Sequence, residues 1–420
     1  MTEHSLEKEI DSPDTTRQRG IVHHLNQSPS PPANQTNQPN YSIARPLAPV
    51  FFYFIVAGIV TVMLGPLLPV LIQRWHIQDA QAGTLFTASF AGQLCGAWFA
   101  ARNLRFSVIF GAILSAVGCA IMAWASFSTA HLALFCVGTG LGTGLTAGNV
   151  IVGTSVPALR GRLLSMLNVT WGLGAIACPI VVRASGPSNV GTFLLITSVA
   201  LVAAAIFAIA VPPSASAAPA AISSSQRPVS RMPLPLIPLL LFGAAMLLYV
   251  GIENSLGGWL PSYAVRTNPS TQAPSITLYF WTAALAGRLL VVALMSRLGE
   301  AALYRLCLAL LIAAEALLCA TVHLSPGSMI AITILCGLTL APIYPLTLSF
   351  LLARTGHHPR LGPIFALASL GGATLPWLTG VVSTHFNSLR AGLAVPTLGA
   401  IAFLLLSGGI TKKPPAKAGT

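Results

Sequence analysis

The chain has 420 residues, of which 54% are hydrophobic and only 7% charged, with a mean hydropathy of +0.77. A soluble chain carries roughly 25% charged residues to cover its surface, so this composition excludes soluble domains and points to an all-α integral membrane protein. Lys and Arg total 22 against 9 Asp and Glu, a net charge of +13; these charges stand singly between apolar runs, not on one face, which excludes a nucleic-acid partner and implies the lipid bilayer.

Residues 1–45 are polar, rich in Ser, Pro, Asn and Gln, and hold five of the nine acids: Glu3, Glu7, Glu9, Asp11 and Asp14. Such a stretch buries too little apolar surface to offset its ordering entropy, so it is expected to be a disordered cytoplasmic tail. No signal peptide is expected, because the first apolar run begins near Leu47 and not just behind a short basic head. Crossing a bilayer takes about 20 residues. Twelve runs qualify: 47–72, 80–101, 104–126, 130–156, 163–184, 190–211, 236–264, 275–296, 301–322, 327–353, 361–384 and 387–409. The one long connection is Pro212 to Pro235, rich in Ala, Ser and Pro. The expected plan is therefore an N-terminal six-helix half at 46–211, a cytoplasmic linker at 212–235, a C-terminal six-helix half at 236–410, and a short cytoplasmic tail at 411–420.

Basic residues orient the spans. With both termini cytoplasmic, seventeen Lys and Arg fall inside, and only Arg74, Arg183, Arg266 and Arg390 fall on the opposite side. That asymmetry follows the positive-inside rule.

The two halves repeat. Phe90-Ala91-Gly92-Gln93-Leu94 is matched by Leu285-Ala286-Gly287-Arg288-Leu289 at an offset of 195, and Leu173-Gly174-Ala175 with Pro179 by Leu370-Gly371-Gly372 with Pro376 at 197. Likewise Gly58-Ile59 with Leu64-Gly65-Pro66-Leu67-Leu68-Pro69 is echoed by Gly251-Ile252 with Leu256-Gly257-Gly258-Trp259-Leu260-Pro261. Twelve transmembrane helices in two pseudo-symmetric six-helix halves form a transporter architecture.

On these segments, together with Arg160-Gly161-Arg162 running to Asn168 and Trp171, Tyr249 to Glu253, and Ala341-Pro342-Ile343-Tyr344-Pro345, the chain resembles the major facilitator superfamily. Within it the chain is similar to the fucose/glucose/galactose permease branch, and the likeness spans about residues 47–409. The resemblance implies sugar:proton symport, a bacterial cell (inner) membrane and a monomer. It also implies a cytoplasmic gate at Gly96, Arg102, Arg105, Arg160, Arg162 and Arg297. The gate's usual Asp is replaced by Ala100, and the branch's carboxylates in the first and fourth spans are missing, Leu145 standing at the latter. Fucose itself is therefore not expected.

Ionisable groups at membrane depth are costly and so are functional candidates. Glu253, Arg288 and Glu315 are the three well inside spans. Glu253 lies between Gly251 and Gly257-Gly258, where the glycines permit a local helix break. A carboxylate there can bind and release a proton during a cycle, hydrogen-bond the solute, or be pinned by Arg288. Arg288 is the repeat counterpart of Gln93, which places both at equal depth beside a central cavity; alternatively Arg288 snorkels or neutralises Glu253. Glu315 has no polar company and reads as structural.

Asn168 and Trp171 are three apart and share a helix face. An amide beside an aromatic plane suits a sugar, whose hydroxyls take hydrogen bonds while its apolar face stacks on indole. Asn149, Asn254, Trp259, Tyr263, Trp281 and Tyr344 offer the same chemistry. Against this, amides also tie helices together, and Trp75, Trp259 and Tyr263 suit an interfacial belt. The glycines at 138, 140, 142, 144 and 148 let helices approach closely.

The seven cysteines sit in apolar runs without CxxC or Cys/His spacing, so neither a disulfide nor a metal site is expected. His23-His24 and His357-His358 read as solvated pairs. No phosphate-cradling glycine motif or nucleophile elbow occurs, which argues against an ATP-driven pump, an enzyme or a cofactor. The expected function is alternating-access import of a small polar solute, a monosaccharide or relative, with a proton on Glu253. Proton-driven export of amphiphilic, drug-like compounds is the alternative.

Overall fold

The computed structural model describes residues 44–100, 103–156, 159–186, 189–211, 236–355 and 362–412. The expected linker, residues 1–43 of the expected tail and residues 413–420 lie outside them, as does Arg102. Among the described residues the chain forms helices and no strand.

In the first half these are α1 (Ala44–Val62), α2 (Leu64–Trp75), α3 (Asp79–Phe99), α4 (Leu104–Trp124), α5 (Phe127–Ser155), α6 (Arg160–Ala184) and α7 (Val190–Ala208). The second half holds α8 (Leu236–Thr267), α9 (Ala273–Leu298), α10 (Glu300–Ala320), α11 (Pro326–Leu340), α12 (Ile343–Thr355), α13 (Gly362–His385), α14 (Leu389–Gly392) and α15 (Ala394–Ile410). Where starts are sharp, short polar side chains cap them: Asn103, Ser126, Asn189, Ser325 and Ser388 each accept from a backbone N–H three residues on.

Among the described residues eleven stretches are long and apolar enough to cross a membrane, the α1–α2, α11–α12 and α14–α15 pairs each counting as one. The expected second span, α3, is missing from these. Its 21 residues suffice in length, but Gln81, Thr84, Thr87, Ser89 and Gln93 make it more polar. That polarity is tolerable because α3 packs against α5 and α13.

Three of these spans are interrupted, each just before a proline; in the last, the break at Leu393 precedes Pro396. Pro66 has no N–H for the Val62 carbonyl, and the helix breaks at Met63; Pro342 does the same to Leu338, and α11 ends at Leu340. Gly287 of α9 packs so tightly against the Leu338 carbonyl that a Cβ would overlap it.

Packing repeats between the halves. α1 on α6, α3 on α5 and α4 on α7 are matched by α8 on α13, α9 on α11 and α10 on α15. The glycines of α5 are divided by face, as a 3.6-residue period requires. Gly138 and Gly142 lie against the backbone of α3 at Ser89 and Gln93, Gly140 against Gly111 of α4, and Gly144 against the Tyr53 ring.

Contacts between halves run through α3 with α13, α6 with α9, and α2 with α8. Along α3 they extend from Asp79, at the end of the bundle away from Ala44 and Thr411, to Phe90, which packs on Gly372. The two halves are thus shut against each other on the face that holds Asp79.

Candidate functional site

Where the halves meet at mid-depth, α6, α8, α9 and α12 bring ionisable and aromatic side chains together. Glu253 stands one helical turn after Tyr249 on α8, a spacing that places both on one face. The Tyr249 hydroxyl donates to Glu253 Oε1 at 2.8 Å, and Arg288 of α9 donates to the same oxygen at 3.3 Å. The pair is largely withdrawn from solvent, with side-chain exposures of 12% for Glu253 and 23% for Arg288. The Arg288 guanidinium also lies over the Trp171 ring of α6, 5.7 Å from its centroid. Trp171 meets Trp281 edge-to-face at 5.5 Å, and Tyr249 meets Tyr344 at 5.2 Å. One acid, one base, two indoles and two phenols therefore converge, and all but Tyr249 (Glu253, Arg288, Trp171, Trp281 and Tyr344) are sequence candidates.

The glycines around Glu253 act otherwise than expected. α8 runs unbroken from Leu236 to Thr267, because the missing Cβ atoms are used for close packing. Gly251 lies against Leu375 and the Gly371 carbonyl, and Gly258 directly under the Phe86 ring.

Asn254 points its amide back to the Val250 carbonyl at 2.8 Å. With Thr61, Gly257 and Trp281 it lines a void just large enough for one water. Trp281 Nε1 is buried there without a hydrogen-bond partner among the described residues. Asn149 and Asn168 are exposed, and each donates to the carbonyl four residues earlier, Leu145 and Leu164. Gln93 is half-buried on α3, where its backbone meets Gly138 and Gly142 of α5.

Trp259 is fully buried and donates Nε1 to the Pro376 carbonyl of α13 at 2.9 Å. It thus sits in the seal between halves, beside Phe86, and not in the polar cluster. Tyr263 reaches the Leu318 carbonyl at 3.4 Å. Glu315 is 1% exposed, and neither carboxyl oxygen has a hydrogen-bond partner among the described residues.

Of the expected gate, Gly96 packs on α5 and its carbonyl accepts from Thr143 at 3.0 Å. Arg160, Arg162 and Arg297 are exposed, and Arg105 is half-buried. Among the described residues the ion pairs are Glu253–Arg288 and a second, Asp79–Arg266, at the shut face. Sequence reasoning overlooked Tyr249 and Asp79. Tyr249 was legible four residues before the buried acid. Asp79 is one of only four acids beyond residue 45, but it stands at the edge of its apolar run and so did not register as intramembrane.

Residues 50–361 match the family model described as the Major Facilitator Superfamily. A Saccharomyces cerevisiae (strain ATCC 204508 / S288c) relative, "Bypass of stop codon protein 6", is 23% identical over 386 residues, covering 79% of this chain and 75% of that one. Among solved structures, a bacterial homolog of the human lysosomal transporter Spinster, inward-facing and unoccupied, superposes with a TM-score of 0.66 at 14% identity over 88% of this chain and 98% of that one. FucP, a transporter of the same superfamily in its outward conformation, gives 0.58 at 17% identity over 88% and 99%.

Proposed function

The chain belongs to the major facilitator superfamily and is a multi-pass membrane transporter, not an enzyme; from that premise we propose that it is a proton-coupled symporter of a small polar solute, a monosaccharide or a related compound. The observation that carries this reading is the mutual dependence of Glu253, Arg288 and Trp171. While Glu253 is ionised it holds Arg288, and Arg288 in turn covers the Trp171 ring face. A solute that stacks on this indole and bonds to the guanidinium must displace Arg288 from both places.

Protonation of Glu253 removes the charge that holds the arginine. The guanidinium donors then become available to solute hydroxyls, and the ring face to an apolar sugar face. Loss of the proton restores the pair and expels the solute. Proton and solute thus share one switch, and each favours the arrangement that the other needs. Tyr249, bonded to the same carboxylate oxygen, orients Glu253 through the exchange. The polar atoms of Asn254, Asn149 and Asn168 add hydrogen-bonding capacity along the route. In this reading the protein is a monomer of the cell membrane with both termini cytoplasmic.

The test is purified protein in liposomes enclosing a pH dye, challenged with monosaccharides one at a time, alongside Glu253→Gln. Solute-dependent proton uptake, abolished in the variant while solute counterflow continues, is the expected result. Proton movement evoked only by lipophilic cations would replace this reading with export of amphiphiles.

A further inference from the structure

Asp79 opens α3 at the shut face, where the helix N-terminus favours an anion. Its carboxylate is gripped by the second half of the molecule. Arg266 Nη1 donates to Oδ2 at 2.7 Å and Nη2 to Oδ1 at 2.6 Å, a fork-on-fork pair that accepts only one alignment. Ser383 of α13 donates to the same carboxylate, and the next backbone N–H, of Ala80, donates to Thr384 Oγ1 at 2.8 Å. One residue at the tip of α3 is thereby tied to α8 and α13 together. Beneath it, Gly83 lies against the backbone of Trp377, Gly380 against the Asp79 carbonyl, and Phe86 against Gly258.

We propose that Asp79, Arg266 and Ser383 form the latch of the transport cycle on the shut face, closed in this state and opened each time the binding site turns to that face. An ion pair suits a latch that must release. Asp79 is 9% exposed and Arg266 42%, so both regain water as the halves part. The recovered hydration then nearly offsets the lost attraction. An apolar seal of equal area would favour the closed state with its full burial. The pair therefore fixes the register of closure while biasing the equilibrium little. This inference needs only a transporter of two rocking halves and stands whatever the solute is.

The experiment places a cysteine at Phe86, sealed beneath the latch, in a chain whose seven native cysteines are replaced. Labelling by a membrane-impermeant maleimide is followed from the side of the membrane on which Asp79 and Arg266 stand. Asp79→Asn and Arg266→Gln should each speed labelling about tenfold, the scale of a lost charged hydrogen bond, and Ser383→Ala by less. The pair Asp79→Leu/Arg266→Met should label no faster than the parent. If either single substitution leaves the rate unchanged in protein that melts normally, or if the apolar pair labels as fast as the single substitutions, the latch is refuted. Should Asp79→Asn not fold, Arg266→Gln, a change at a half-solvated side chain, decides alone.

Discussion

Arg288 serves two partners with different chemistries, a carboxylate at 3.3 Å and an indole face at 5.7 Å. Lysine would keep the charge but lose the planar surface that lies on Trp171. Arg288→Lys should therefore weaken solute binding about tenfold, read as the concentration for half-maximal counterflow, while proton uptake at saturating solute persists. Glu315 makes a contrasting case, a fully buried acid without a hydrogen-bond partner among the described residues. Such a group costs about 1–3 kcal/mol, so Glu315→Leu should raise the thermal midpoint in detergent and leave transport intact. Loss of transport would place Glu315 in the cycle. Buried ionisable residues were legible in the sequence because the bilayer makes them rare. Trp259 was not, since an indole contacts solute, seal or lipid according to what packs against its helix face, and here that partner is Pro376, 117 positions away.

At the level of the helix, the same residue type has opposite effects according to its neighbours. A Cβ at Gly142 of α5 would overlap the Gln93 backbone carbonyl, whereas Gly161 of α6 has nothing within 4 Å. Gly142→Ala should cost about 1–3 kcal/mol, because backbone must move. Gly161→Ala should instead gain up to about 1 kcal/mol from helix propensity. Thermal melts of the two variants in one detergent check both signs. The run of glycines announced close packing from sequence, yet the division of its faces among α3, α4 and Tyr53 depends on three-dimensional neighbours. The span positions, and the breaks at Pro66 and Pro342, follow from local chemistry alone. The low hydropathy of α3 shows the limit of that approach, because a helix sheltered by α5 and α13 is not held to the standard of one facing lipid.

For the whole molecule, the line along which it divides does not coincide with a loop. α1 lies on α6 and α7 within the first half, but α2, the continuation of the same span, rests mainly on α8 and α9 of the second. Gly65 of α2 lies so close to the Gly257 carbonyl that no side chain would fit between them. The first span therefore passes from the packing of one half to that of the other at Met63, where Pro66 has removed a rung of the hydrogen-bond ladder. In the rocking cycle proposed above, this point takes the bending: the missing rung localises the curvature, and neither helical piece has to yield along its length. On that proposal the first span is part of the mechanical linkage between the halves, and the stiffness of a few residues around Met63 sets how much work each stroke does against the chain itself.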